Sequence, residues 1–293
     1  MSPNALQLIA LSRLFSPGVF RDIARKGQSA IFSRLCRQAG LAAVSGDTVA
    51  DAFDNAFAIL RRTGFRDEYV YRAALTRNIL LGTHSLNTAC MLTEFRAGAC
   101  KADLTILNGT STVYEIKSER DTLARLENQI ANYKKVFAKI YIIASESHIP
   151  NVIDSTSNSV GVLCLNKRNR ITKVREATDN VSNVCPVTIF ESLRTDEARI
   201  ILNELGVVIP KLPNTIVRKV MRDQFSQLLP EDVHSLMVKT LKRTRSLAPL
   251  NEFVGQLPSS LRAAALSVNI RYTDHSRMIQ ALSTPLCIAM DWK

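Results

Sequence analysis

Residues 102 to 117 constrain the fold more than any other stretch of this chain. Asp103 stands in a short apolar run, Ala102-Asp103-Leu104-Thr105-Ile106-Leu107, and an Asn108-Gly109 turn leads into Val113-Tyr114-Glu115-Ile116-Lys117. Strand side chains alternate between faces, so Glu115 and Lys117 share one side and Tyr114 and Ile116 the other. Pairing of 102–107 with 112–118 through the turn brings Asp103 to the face of Glu115. Two carboxylates and a lysine on neighbouring strands make a site for a hard cation, with a cation of the protein's own beside it. Mg²⁺ prefers such oxygen donors and acidifies the water it holds, and the lysine can offset negative charge on a phosphoryl group under attack.

An acidic residue, a gap of about ten residues and Glu-x-Lys together resemble the PD-(D/E)xK nuclease superfamily, whose core runs helix, three antiparallel strands, helix, strand. The surrounding pattern predicts that order. Residues 67–81 read as a helix with Tyr69, Leu75, Ile79 and Leu80 as apolar positions, and 88–95, 101–107 and 112–118 read as strands. Ser118 and Asp121 read as an N-cap pair for a helix carrying Leu123, Leu126, Ile130, Tyr133 and Phe137, and 139–144 is a continuous apolar strand. A further strand is expected over 160–165. The expected fold class is α/β (α+β), a restriction-endonuclease-like αβββαβ core with a mixed sheet flanked by helices.

Within the predicted second helix, Asp121-Thr122-Leu123, Arg125-Leu126, Gln129 and Tyr133 follow Glu115-Ile116-Lys117-Ser118. This progression is similar to a mostly bacterial and phage-associated branch of the superfamily, and Gln129-x-x-x-Tyr133 resembles the signature of RecB-type and lambda-exonuclease-type nucleases. The resemblance implies that Asp103 and Glu115 ligate Mg²⁺, or Mn²⁺ in its stead, with help from the Ile116 carbonyl. It implies that Lys117 steadies the nucleophile or transition state, and that Glu94, ending the first strand, completes the acidic cluster, either binding a second metal or hydrogen-bonding a metal-bound water. Glu68 on the first helix competes for that last role; Glu94 is preferred because its strand neighbours Asp103. Arg125, Gln129 and Tyr133, spaced by four, share a helical face that positions the substrate or braces the metal site. The likeness covers about residues 66 to 175. It departs at Lys101, where arginine is expected and the planar fork is lost, and after the fourth strand, where Pro150 to Ser159 replaces an aromatic segment.

Each feature also has a plainer reading. Glu-x-Lys alone is commonly a solvated pair, Glu94 an exposed strand-end charge, and Gln129 with Tyr133 ordinary helix surface and core. The complete set of Asp103, Glu115 and Lys117 weighs for the nuclease.

The chain divides on this reading into a helical region over 1–65, the core over 66–186 and a helical region over 187–293. The first holds two or three helices anchored by Leu11, Leu14, Phe15, Phe20, Ile31, Phe32 and Leu35; the last holds helices over 197–205, 214–229 and 230–242, which either pack together or form a DNA-reading helix-turn-helix. With 38 Lys+Arg against 26 Asp+Glu, the formal charge of +12 favours a polyanionic partner. Lys167, Arg168, Arg170, Lys173 and Arg175 form a basic cluster that either grips phosphates or tips a solvated hairpin. Aromatics make up 6% of the chain with one tryptophan, too few for an obvious base-stacking platform, so duplex DNA is preferred to single strands, and RNA remains an alternative substrate.

Six cysteines without a Cys-x-x-Cys pair, and four scattered histidines, indicate neither a zinc ribbon nor a disulfide framework. His84, after the first helix, either approaches the site or is a turn histidine, and the latter is the preferred reading. No apolar run reaches the length of a membrane span and the first residues lack a signal-peptide pattern, so a soluble, cytoplasmic protein is expected. A metal-dependent deoxyribonuclease, in phage defence, phage replication or mobile-element DNA processing, is the leading expectation. A homodimer and a regulatory protein partner are compatible with it. The alternative is a nuclease fold that binds nucleic acid, or serves assembly, without cutting.

Overall fold

A computed structural model describes residues 3–62, 64–119, 121–210 and 213–293. Two compact units emerge. The first comprises residues 1–78, 167–169 and 249–293, the second residues 79–166 and 170–248.

The first unit opens with α1 (Ala5–Leu14), α2 (Pro17–Lys26), α3 (Ala30–Ala39), α4 (Val49–Leu60) and α5 (Glu68–Leu75). Their starts are written in the sequence. Asn4 and Thr48 build capping boxes with Gln7 and Asp51, and Pro17 occupies the first turn of α2. Phe15 stacks on Tyr69 with centroids 4.5 Å apart, and Phe32 and Phe53 meet at 5.2 Å. The helix expected over 67–81 begins at its Asp67 cap, and α5 gives way at Thr76–Leu80 to a π-helical turn.

The second unit contains a six-stranded mixed sheet and helices, so the molecule is mixed α/β. After α6 (Leu81–Thr83), β1 (Cys90–Ala97), β2 (Cys100–Leu107) and β3 (Ser111–Lys117) form an antiparallel meander. Helix α7 (Leu126–Tyr133) crosses to β4 (Lys139–Ser145), parallel to β3, and α8 (Ile149–Asp154) crosses to β5 (Gly161–Leu165), parallel to β4. β6 (Ile171–Arg175) returns antiparallel, and spatial order follows chain order from β1 to β6. Helices α9 (Pro186–Ser192), α10 (Thr195–Glu204), α11 (Asn214–Phe225) and α12 (Pro230–Thr244) complete the unit. Leu126, Ile130, Tyr133 and Phe137 share one apolar core with Val113, Ile142, Phe190, Ile201, Phe225 and Met237. The odd-numbered face of β3 is therefore covered, as is the even face, where Tyr114 stacks on Tyr141.

The chain then returns to the first unit with α13 (Asn251–Gln256), α14 (Arg262–Ser267), α15 (His275–Leu282) and α16 (Leu286–Ala289). Thr48 forms a β-bridge with Pro285.

These units redraw the expected division at 65/66 and 186/187. α5 belongs with the N-terminal helices because its Tyr69 donates to the Ser260 carbonyl and stacks on Phe15. Residues 187–248 belong with the sheet because Phe190, Phe225 and Met237 enter its core. The cap expected from Ser118 and Asp121 is corrected as well. The Asp121 carboxylate takes the Ser118 N–H at 2.8 Å and its hydroxyl at 2.6 Å, and the Asp121 N–H bonds to the Ser118 carbonyl. That closes a turn, and α7 begins only at Leu126, with Leu123 outside it. β6, within the basic cluster, had no strand assigned from sequence, because it is short, three of its five side chains are exposed and its basic residues read as a turn.

Among the described residues, no helix is long and apolar enough to cross a membrane.

Candidate functional site

The β2–β3 connection fixes the register on which the site depends. Leu107 pairs with Ser111, leaving a three-residue loop closed by the Asn108 N–H on the Thr110 carbonyl, with Gly109 at φ 69°. Leu104 then faces Tyr114, and one step further the same register sets Asp103 opposite Glu115. On the other side, Thr93 pairs with Leu104 and Phe95 with Ala102, which brackets Glu94 opposite Asp103. Glu94, Asp103 and Glu115 thus stand at one level across three adjacent strands.

The β3 end of this row is closed. Glu115 is 2% exposed and Lys117 6%. Glu115 Oε1 accepts Lys117 Nζ at 2.9 Å and also the Gln129 amide, while Oε2 accepts the Tyr133 hydroxyl at 2.6 Å. Lys117 donates in addition to Gln129 Oε1 at 2.9 Å. Burial, and then the Glu115 charge, push the Tyr133 hydroxyl far above its ordinary range, so it remains a donor. Its oxygen also lies 2.9 Å from the Lys101 carbonyl, tying α7 to β2. Gln129 and Tyr133 therefore do converge on Glu115 from one helical face. Arg125 occupies the N-cap position of α7 without a side-chain capping bond and is exposed, and among the described residues no hydrogen bond or ion pair joins it to Glu115.

Asn132, which the sequence reading passed over, sets the reach of that helix. Its Oδ1 accepts the Ala99 N–H at 3.1 Å in the β1–β2 turn, where Gly98 has φ 59° and a Cβ would come within 2.4 Å of the same oxygen. The only early signal was Gly98 between the strands expected over 88–95 and 101–107.

The β1 end is open and strained. Glu94 is exposed and has φ 53°, left-handed backbone that a glutamate adopts at a cost. A carboxylate oxygen of Glu94 lies within 4.8 Å of one of Asp103, and Lys101 Nζ approaches Glu94 to 3.9 Å. Like charges directly opposed on neighbouring strands repel unless a cation lies between them. Asp103 Oδ2 accepts the Ile116 N–H at 2.8 Å. The N–H and C=O of a strand residue point the same way, so the Ile116 carbonyl is aimed toward β2 as well.

The donor set fits Mg²⁺. Two carboxylates and a backbone carbonyl are hard oxygen ligands, and they leave positions for water. Glu115 is not a member of the close carboxylate cluster among the described residues, because both its oxygens are turned to donors on β3 and α7. Glu68 lies in the first unit and pairs with Arg72 on its own helix. His84 contacts Asn108 at 3.0 Å in the β2–β3 turn, in accord with its reading as a turn histidine.

The sequence profile of the bacteriophage P4 protein cII family matches residues 61–256, more than half of the chain. The chain belongs to this family. It is 27% identical over 161 residues to Protein cII of Enterobacteria phage P4, an alignment covering 54% of this chain and 59% of that relative. The chain thus spans less than two thirds of the relative's length. Among solved structures, a protein of unknown function from Silicibacter pomeroyi is similar over 46% of this chain and 88% of its own, at 16% identity and a TM-score of 0.31.

Proposed function

We propose that this member of the P4 protein cII family is a divalent-metal-dependent phosphodiester hydrolase acting on DNA, built on a PD-(D/E)xK core. The observation that carries the reading is the row Glu94, Asp103 and Glu115 at one level of three adjacent strands, with Lys117 two residues beyond. The element order from α5 to β4 accords with the core that the motifs resemble.

Asp103, Glu94 and the Ile116 carbonyl would hold Mg²⁺ or Mn²⁺, which supplies Lewis acidity to the phosphate and to water. Lys117 keeps a positive charge beside the row, shared between Glu115 and Gln129. Moving that ammonium to a phosphate oxygen would offset transition-state charge and release Glu115 Oε1 as a further ligand. Gln129 and Tyr133 hold Glu115 in place meanwhile, and exposed Arg125 is available to a strand phosphate. The relative from phage P4 agrees with a phage or mobile-element setting for that activity.

The test is incubation of the full chain with supercoiled, linear and single-stranded DNA, and with RNA, in Mg²⁺, Mn²⁺ or chelator, beside Asp103→Asn. Metal-dependent cutting by the wild type and its loss in the variant are expected.

One observation favours a second reading, a nucleic-acid-binding or assembly module without cleavage. Both oxygens of Glu115 are already met by protein donors in a buried network, an arrangement that also serves stability. Absence of cutting with salt-sensitive DNA binding retained would select it.

A further inference from the structure

The C-terminal part of the first unit contains a cleft of about 400 Å³ that the sheet site does not use. Its walls bring together aromatic rings that the sequence scatters. Phe253 is buried on α13, and His275 at the start of α15 stacks on it, centroids 4.1 Å apart and planes 13° from parallel. Tyr272 lines the same cleft and meets His275 edge-on at 5.3 Å, yet is 78% exposed, so it offers an open ring face. An exposed tyrosine beside a stacked pair is a platform for a flat ring.

The polar groups of the cleft are as specific as its rings. Glu252 and Gln256, both exposed, lie one turn apart on α13, with Gln256 Nε2 3.4 Å from Glu252 Oε1. That is a long hydrogen bond from the Gln256 amide to the carboxylate, so the rim still offers, side by side, the second N–H of the amide and the remaining lone pairs of the two carboxylate oxygens. A carboxylate repels a phosphate, so the group that enters is not the anionic end of a ligand. Two adjacent acceptors beside a donor complement a ring edge with two adjacent donors beside an acceptor. Among the nucleobases guanine has that edge, in N1–H, the N2 amine and O6.

Two further features agree. Burial holds the His275 imidazole below its ordinary pKa, which keeps the wall uncharged against a neutral heterocycle. Its Nε2 is shielded from solvent without a hydrogen-bond partner among the described residues, the kind of polar atom that a ligand or an ordered water completes. Arg271, next to Tyr272 in the chain, is exposed and available to a phosphate outside the cleft.

We propose that this cleft binds a nucleobase, guanine in preference to the others, with Tyr272 as the stacking face and Glu252 and Gln256 reading the Watson–Crick edge. The inference stands on the first unit alone and does not require cleavage at the sheet site. The base comes either from a free nucleotide or from an unpaired position of a strand, and the chemistry of recognition is the same.

Equilibrium dialysis of the full chain against GMP, AMP, CMP and UMP tests it. A parallel titration compares an oligothymidylate carrying one central dG with the all-thymidine strand. GMP, the dG oligonucleotide or both should bind at least about tenfold tighter than their controls, as a bidentate base contact implies. Preference shown by the oligonucleotide alone identifies a strand as the source, and equal preference by GMP identifies the free nucleotide. Glu252→Gln should erase the preference, and Tyr272→Ala should weaken binding of every base about tenfold. Both side chains are exposed, so the variants should unfold at the wild-type temperature. Equal binding of all four bases, or no binding of any in either titration, overturns the proposal, as does a guanine preference unchanged in Glu252→Gln.

Discussion

The two ends of one row of carboxylates differ in almost every physical respect. Glu115 sits on regular strand, buried, with each oxygen bonded to a donor from β3 or α7. Glu94 sits on left-handed backbone, exposed, facing another carboxylate. A buried charge survives only where its partners are complete, whereas an exposed, strained charge contributes little to folding and is free to serve a ligand. The β3 end is thus bonded into the fold, and the β1 end is the one that the proposal assigns to a cation.

The largest effect that could break this contrast is expected of Glu115→Ala. It leaves the Lys117 ammonium buried without its carboxylate, at a cost of about 3–5 kcal/mol in urea unfolding. A loss under 1 kcal/mol would mean that the β3 end is not held as described. Tyr133→Phe removes one charge-assisted hydrogen bond and should cost about 1.5–3 kcal/mol by the same measurement. Glu94→Gly should move stability the other way. Glycine adopts positive φ without strain and removes the repulsion with Asp103, so a gain of up to about 1 kcal/mol is expected. A clear loss would show that Glu94 stabilises the fold.

The smallest effect concerns the start of β3, away from the carboxylates. There Ser111 Oγ accepts the Ala138 N–H at 3.0 Å and shares a hydrogen bond of 2.7 Å with Nε2 of the buried His234 imidazole. Burial lowers the His234 pKa, and Asp179 opposes that only in part. A histidine depressed in the folded state contributes stability that is complete above its unfolded pKa, near 6.5, and is lost as pH falls toward the folded value. The melting temperature should therefore drop below about pH 6.5, less steeply in His234→Gln. An identical slope in the variant would assign the acid sensitivity to other groups.

How much of this was legible follows from the same residues. Strands β2, β3 and β4 were readable because apolar alternation and the Asn108-Gly109 turn fix their period and register locally. Helical spacing of four put Gln129 and Tyr133 on one face, but not their meeting with Glu115, which Arg125 at the same spacing does not share. Burial of Lys117 was not legible, because it depends on α7 and on helices distant in sequence packing over the same face. The strain at Glu94 was equally hidden, since nothing local marks a glutamate for positive φ. The late start of α7 escaped because Ser118 and Asp121 have the composition of a cap and the geometry of a turn. The aromatic cleft was missed for a similar reason: Phe253, Tyr272 and His275 are unremarkable in sequence and meet only in the folded first unit.

The most direct test of the contrast is the Mg²⁺ dependence of supercoiled-plasmid cleavage by the wild type and Glu94→Gly. The wild type should cut only with metal. The variant, folded at least as stably, should need more than about tenfold higher Mg²⁺ for half-maximal rate, as the loss of a carboxylate ligand implies. A wild type that cuts nothing in Mg²⁺ or Mn²⁺, or a variant with the wild-type metal requirement, would contradict the assignment of the β1 end to a cation.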